Sequence, residues 1–156
     1  MSTRSEVIAA ALEEVIGQVA ETVESAGRPP GSVRILLATK TVEPVRIGQA
    51  LAAGASLIGE NRIQEALSKQ AELKPLIAAA GHPVEQHFIG HLQSNKIKDM
   101  LSYATMLHSL DRPGLARKLQ TALERIAGPP AASEPPAAPW PPAASTQPAG
   151  AAARAG

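Results

Sequence analysis

The sequence predicts an α/β fold, an N-terminal helix followed by about four strand–helix units arranged as a partial β/α barrel. Three observations predict it. Apolar residues recur at helical spacing in several segments, and short apolar runs of strand length lie between them. Their alternation implies parallel strands joined by right-handed crossovers, which either a barrel or an open doubly wound sheet satisfies. Polar groups then follow every strand: Thr39 with Lys40, Glu60 with Asn61, His91 with Gln93, and Ser109 with Asp111. Barrel sites are built from loops at the C-terminal ends of several strands, whereas an open sheet gathers its chemistry at one switch point. The pattern favours the barrel.

The elements follow in order. Ile8, Leu12, Val15, Ile16, Val19 and Val23 form one helical stripe between Ser5 and Ala26, ended by Gly27 and the Pro29-Pro30 pair. The run from Val33 to Ala38 reads as a buried strand. Pro44 suits a first helical turn, and the helix continues from Val45 to Ala53 with Gly54 as its stop. Ser56 to Ile58 is a short strand stopped at Gly59. Asn61 to Leu73 is helical, with Ile63, Ala66, Leu67 and Gln70 in register, and Pro75 is expected to break or kink it. His87 to Ile89 is a third strand, Lys96 to Leu101 a short helix, Met106 to His108 a fourth strand, and Pro113 to Ala127 a final amphipathic helix.

Composition divides the chain into a domain at 1–128 and a tail at 129–156. In the tail, alanine and proline supply 19 of 28 residues, and Trp140 is the one large apolar side chain. Such a stretch buries too little surface to offset its ordering entropy, so it is expected to be disordered. The whole chain has 15 basic and 14 acidic residues, which gives no electrostatic reason to expect a nucleic-acid partner. Cysteine is absent, which excludes disulfides and thiolate metal sites and suits a cytoplasmic protein. The polar start of the chain is unlike a signal peptide, and no apolar run approaches the roughly 20 residues of a membrane helix.

Each chemically interesting residue has two readings. Lys40, at a partly desolvated strand end, suits an amine kept neutral for Schiff-base chemistry, though position alone favours a surface loop lysine. Asn61, in Gly59-Glu60-Asn61-Arg62, suits a ligand contact or a helix cap. His87 suits a pocket wall or a core histidine bonded to backbone. Ser94-Asn95-Lys96 suits an anion site or a plain capping sequence, and His108 and Asp111 suit a site or a turn. Four histidines without carboxylates at ligand spacing make no case for a metal. Neither a Walker sequence nor G-x-G-x-x-G occurs.

Four segments taken together resemble one family. Leu36-Leu37-Ala38-Thr39-Lys40-Thr41-Val42 resembles the lysine strand of the pyridoxal phosphate homeostasis proteins, which are similar to the N-terminal barrel of alanine racemase. Gly59-Glu60-Asn61-Arg62-Ile63-Gln64-Glu65 follows that family's G-E-N-x-x-Q-E pattern, and His87 to Lys96 its H-F-I-G-x-L-Q-x-N-K pattern. His108-Ser109-Leu110-Asp111 comes where the family has it. The resemblance covers roughly residues 5 to 127.

The resemblance implies a fold-type III barrel that binds pyridoxal 5′-phosphate as an aldimine on Lys40, with Asn61, His87 and Asn95 near the cofactor. It implies a carrier or regulator of the vitamin B6 pool, without established catalytic turnover. A member of the family continues through eight strands, so this chain is expected to be truncated after about residue 127, as a shifted reading frame or a misplaced gene end would produce. Loss of the later phosphate-binding loops, at about 1.5–3 kcal/mol per charge-assisted bond, would weaken binding on the order of 10³-fold. The open sheet edge is expected to promote self-association. Two other readings are an amino-acid racemase-like enzyme, which lacks a partner acid/base beyond Tyr103, and a non-binding half-barrel interaction module.

Overall fold

The computed structural model describes residues 4–127. The expected domain boundary at residue 128 and the expected disordered tail with Trp140 lie outside the described residues. Five helices and four strands alternate: α1 (Arg4–Ser25), β1 (Leu37–Ala38), α2 (Pro44–Ala52), β2 (Leu57–Glu60), α3 (Ile63–Ala79), β3 (Glu85–Phe88), α4 (Ile97–Leu101) entered through a 3₁₀ turn at Ser94–Lys96, β4 (Met106–Leu107) and α5 (Pro113–Ala127). No helix among them is long and apolar enough to cross a membrane.

The strands form one parallel sheet in the order β1-β2-β3-β4. Neighbours in sequence are therefore neighbours in the sheet. With right-handed crossovers, an order that never reverses puts every connecting helix on the same face. A doubly wound sheet would reverse and cover both faces. The fold is thus a partial β/α barrel.

The core lies between the sheet and its helices in two clusters. Ile58 packs with Leu12, Ile47, Leu51 and Leu73, and Leu37 leans against them. Phe88 packs with Ile63, Ala66, Leu92, Met100 and Leu115, with Leu107 alongside. Full burial of each large apolar side chain is worth about 1.5–3 kcal/mol, so these two clusters tie the helical layer to the sheet.

Several expectations are corrected. The run from Val33 to Ala38 is not a buried strand. Only Leu37 and Ala38 join the ladder, and Val33 and Ala38 are exposed, because β1 is an edge with a neighbour only on the β2 side. Gly59 does not stop β2, which runs on to Glu60 with Gly59 paired to Ala38 and His87. Of the break or kink expected at Pro75, the break does not occur, and α3 runs through it to Ala79. Pro75 and Ala71, whose carbonyl loses its helical donor, both face solvent, where water can bond that carbonyl. On the same helix Leu67 is exposed and Lys69 is buried, the reverse of their hydrophobicity. β3 begins at Glu85, two residues early, because its polar side chains are paired: Glu85 with Arg34, and Gln86 with Gln70 of α3.

Candidate functional site

Alternation divides the strand residues between two faces. Leu37, Thr39, Ile58, Glu60, Gln86, Phe88 and Leu107 turn toward the helices. The register aligns Ala38, Gly59, His87 and Met106 in one row on the opposite, helix-free face. The ladder then runs one step further, through Thr39 N–H to the Gly59 carbonyl, Ile89 N–H to the Glu60 carbonyl and His108 N–H to the Phe88 carbonyl. Lys40, Asn61, Ile89 and His108 follow as the next row at the C-terminal ends of the four strands.

Lys40 is exposed, so the partly desolvated position expected for it is not what the structure has. Its two neighbours, by contrast, are clamped from α3. Lys69 Nζ donates to the Thr39 carbonyl at 2.9 Å, to Glu60 Oε1 at 3.0 Å and to Glu65 Oε1 at 2.8 Å. The Thr39 hydroxyl donates to the same Glu60 oxygen at 2.8 Å, and the Thr41 N–H donates to Glu65. Burial works against charge on Lys69, but its bonds to Glu65 and Glu60 outweigh that and hold its pKa above the ordinary lysine value. Lys69, followed by the Thr41 N–H, holds Glu65 below the ordinary carboxylate value. Thr41 sits at φ 60°, a left-handed conformation that costs a β-branched residue about 1–3 kcal/mol.

A second polar chain crosses the helix-free face. Arg34 reaches over β2 to pair with Glu85, whose other oxygen lies 3.1 Å from His87 Nε2. Arg34, and His87 after it, lower the pKa of Glu85. His87 is 3% exposed, and its Nδ1 meets His108 Nε2 at 2.9 Å, with the rings 5.0 Å apart.

Asn61 is not the cap of α3; Arg62 occupies that position and makes no side-chain capping bond. The Asn61 Oδ1 is buried without a partner. Gly90 lets the β3 loop close onto it, since a Cβ at Gly90 would lie 2.1 Å from the Asn61 carbonyl oxygen. Asn95 stands apart, exposed on the helical side, where it lines a cleft of about 430 Å³ with Lys98, Arg117, Lys118 and Arg125. Tyr103 belongs to the helix-side core, its hydroxyl unpartnered, and burial followed by the Glu60 carboxylate pushes its phenol up.

No family profile matches the chain. The pyridoxal phosphate homeostasis protein of Pseudomonas aeruginosa is 40% identical over 130 residues, covering 83% of this chain and 51% of its own length. This chain is a homologue of the pyridoxal phosphate homeostasis proteins. It spans about half the length of the curated relatives it matches. Among solved structures, an unknown protein from Bifidobacterium adolescentis superposes with a TM-score of 0.74 at 37% identity, over 79% of this chain and 52% of that one. PipY of Synechococcus elongatus, solved with PLP bound, gives 0.57 at 34% identity, over 70% and 50%.

In this pyridoxal phosphate homeostasis homologue, sequence reasoning missed Lys69, Glu65, Glu85 and Arg34. One signal was present for the first two: Glu65 and Lys69 stand at i and i+4, the spacing of a helical ion pair. Nothing local to Arg34 and Glu85 announces a contact across 51 positions. Among the described residues no group of three or more His, Asp or Glu side chains is set to hold a metal ion.

Proposed function

We propose that this chain binds pyridoxal 5′-phosphate through the amine of Lys40, and serves vitamin B6 homeostasis in the cytoplasm as a carrier without turnover of its own. The observation that carries the reading is the position of Lys40, directly past the end of β1 on the face no helix covers. Barrel proteins assemble their sites there.

The residues present suit the cofactor. Its aldehyde would supply a carbon to which an amine can condense with loss of water. Lys40 offers an amine at the surface, open to an incoming ligand. Asn61 Oδ1 is a buried acceptor still lacking a donor, the kind of group a ligand satisfies. His87 and His108, already hydrogen-bonded to each other, would form the polar wall beside the ring. PipY, solved with PLP bound, is the relative that supports extending this chemistry to the present chain.

Titration with pyridoxal phosphate tests the reading. A visible absorbance band should form, be removed by borohydride, and leave its label on Lys40 in peptide maps. Label spread evenly over Lys74, Lys98 and Lys118 would overturn it.

A further inference from the structure

We propose that Lys69, with Glu60 and Glu65, is a positioning group that locks the Thr39-Lys40-Thr41 turn in its left-handed form and so sets where the Lys40 amine stands. The inference rests on the Lys40 reading and extends it to residues on the far side of the sheet.

An ammonium has three N–H donors, and Lys69 places one on each of three elements. The acceptors are the Thr39 carbonyl at the end of β1, Glu60 at the end of β2, and Glu65 in the first turn of α3. The bonds bracket Lys40 from both sides. Thr39 is held by its carbonyl and by its hydroxyl, and Thr41 by its N–H to Glu65. The Lys40 side chain takes no part in these bonds, so the network fixes its main chain while leaving its amine able to react.

Two features argue for a device and not for simple packing. Buried ion pairs are often no more stabilising than apolar side chains of the same volume, so fold stability alone gives α3 little reason to bury a lysine. The network also ends on Thr41, the one non-glycine residue among those described with positive φ. A strained turn persists where its surroundings over-determine it, and here the surroundings are Glu65 and Lys69. One oxygen of Glu60 remains buried and unpartnered, so the cluster has no spare donor to take over if Lys69 is lost.

The experiment uses the full chain with Lys69→Met, Glu65→Ala, Glu65→Gln and Thr41→Gly, pyridoxal phosphate and borohydride as the probe, and amide exchange as a second readout. Lys69→Met should slow labelling of Lys40 about tenfold relative to the other lysines and speed exchange of the Thr41 amide by a similar factor. Glu65→Ala should do the same, whereas Glu65→Gln, which keeps an acceptor oxygen, should recover most of both. Thr41→Gly accepts positive φ without strain, so Lys69→Met should cost much less in that background. Equal losses with and without the Thr41→Gly substitution, or unchanged labelling and exchange in a folded Lys69→Met protein, would overturn the proposal. If Lys69→Met fails to fold, the Glu65→Ala and Glu65→Gln pair decides the same question. If wild-type Lys40 shows no preferential label, the cofactor reading fails, while exchange at Thr41 still tests the lock.

Discussion

His87 Nδ1 and His108 Nε2 lie 2.9 Å apart, a hydrogen bond in which one ring must donate and the other accept. His87 is buried and His108 exposed, so the bond joins the interior of the sheet to its surface. Removing the outer ring by His108→Ala leaves Nδ1 of the inner one without its partner, while its Nε2 keeps Glu85. That costs about 1–3 kcal/mol for a sealed group, and the low end is expected because water can follow into the vacated space. Urea unfolding of the variant should show a loss of about 1 kcal/mol with an unchanged slope. No loss would mean the contact does not form in solution.

Lys40→Ala separates chemistry from stability. The Lys40 side chain is exposed and outside the hydrogen-bond network that surrounds it. An exposed side chain with no such role changes stability by no more than about 0.5 kcal/mol. Thermal unfolding should therefore be nearly unaltered, while the borohydride-fixed label disappears from the peptide carrying position 40. A label that persists there, or a fall in melting temperature of many degrees, would contradict the assignment.

The long elements were legible in the sequence because each depends on local information. Pro44 and Gly54 bracket α2, and Pro113 to Ala127 matches α5 end to end. The positive φ of Gly54, 101°, where the chain turns out of α2, is a glycine property visible in one letter. What was not legible depends on contacts between distant segments. Lys69 reads as a solvated helix residue until β1 and β2 bring Thr39 and Glu60 to it. Pro75 reads as a break until its face of α3 is known to be the solvent face. Gly59 reads as a stop, though its role is to leave room for the Leu36 and Ile89 side chains. Within the site, the motif letters took in Lys40, Asn61, His87 and His108, but not Lys69, which holds the turn around Lys40, or Glu85 and Arg34, which extend from His87.

The ionised groups predict how stability depends on pH. Glu65 and Glu85 have folded-state pKa values below the ordinary 4.5, so the stability they add is present above about that pH and is lost as pH falls through the lower folded values. Lys69 lies above its ordinary 10.5, so its contribution is complete below that pH and is lost as pH rises through the higher folded value. Urea midpoints should decline at both ends, with a shallow fall between them where pH rises through the raised pKa of His82, which is held up by its bond to the Leu51 carbonyl. Glu65→Gln should flatten the acid limb more than Glu85→Gln does, because the Glu85 side chain is 39% exposed against 22% and solvent screens it more. An acid limb untouched by Glu65→Gln would show that its pairing with Lys69 is not maintained in solution.

Two glycines, Gly59 within β2 and Gly90 just past β3, should respond very differently to the same added methyl group. A Cβ at Gly59 would meet Leu36 Cδ2 at 2.7 Å and the Ile89 side chain at 3.2 Å. The first of these is the far end of a flexible side chain, which can rotate away. At Gly90 the Cβ would meet the Asn61 carbonyl oxygen at 2.1 Å, its carbon at 2.6 Å and the Asn61 Cα at 2.7 Å. All three are main-chain atoms, so relief requires the strand-end loops to part. Overpacking typically costs about 1–3 kcal/mol. Gly59→Ala is expected near the bottom of that range and Gly90→Ala at or above its top. The second substitution should also displace Asn61 and break the bond from the Ser109 hydroxyl to the Gly90 carbonyl, opening the β2, β3 and β4 loops together. Chemical denaturation gives the energies, and amide exchange at Asn61 and Ser109 reports the opening. Equal stability of the two variants would show that the loops do not close on each other as tightly as the Gly90–Asn61 contact requires.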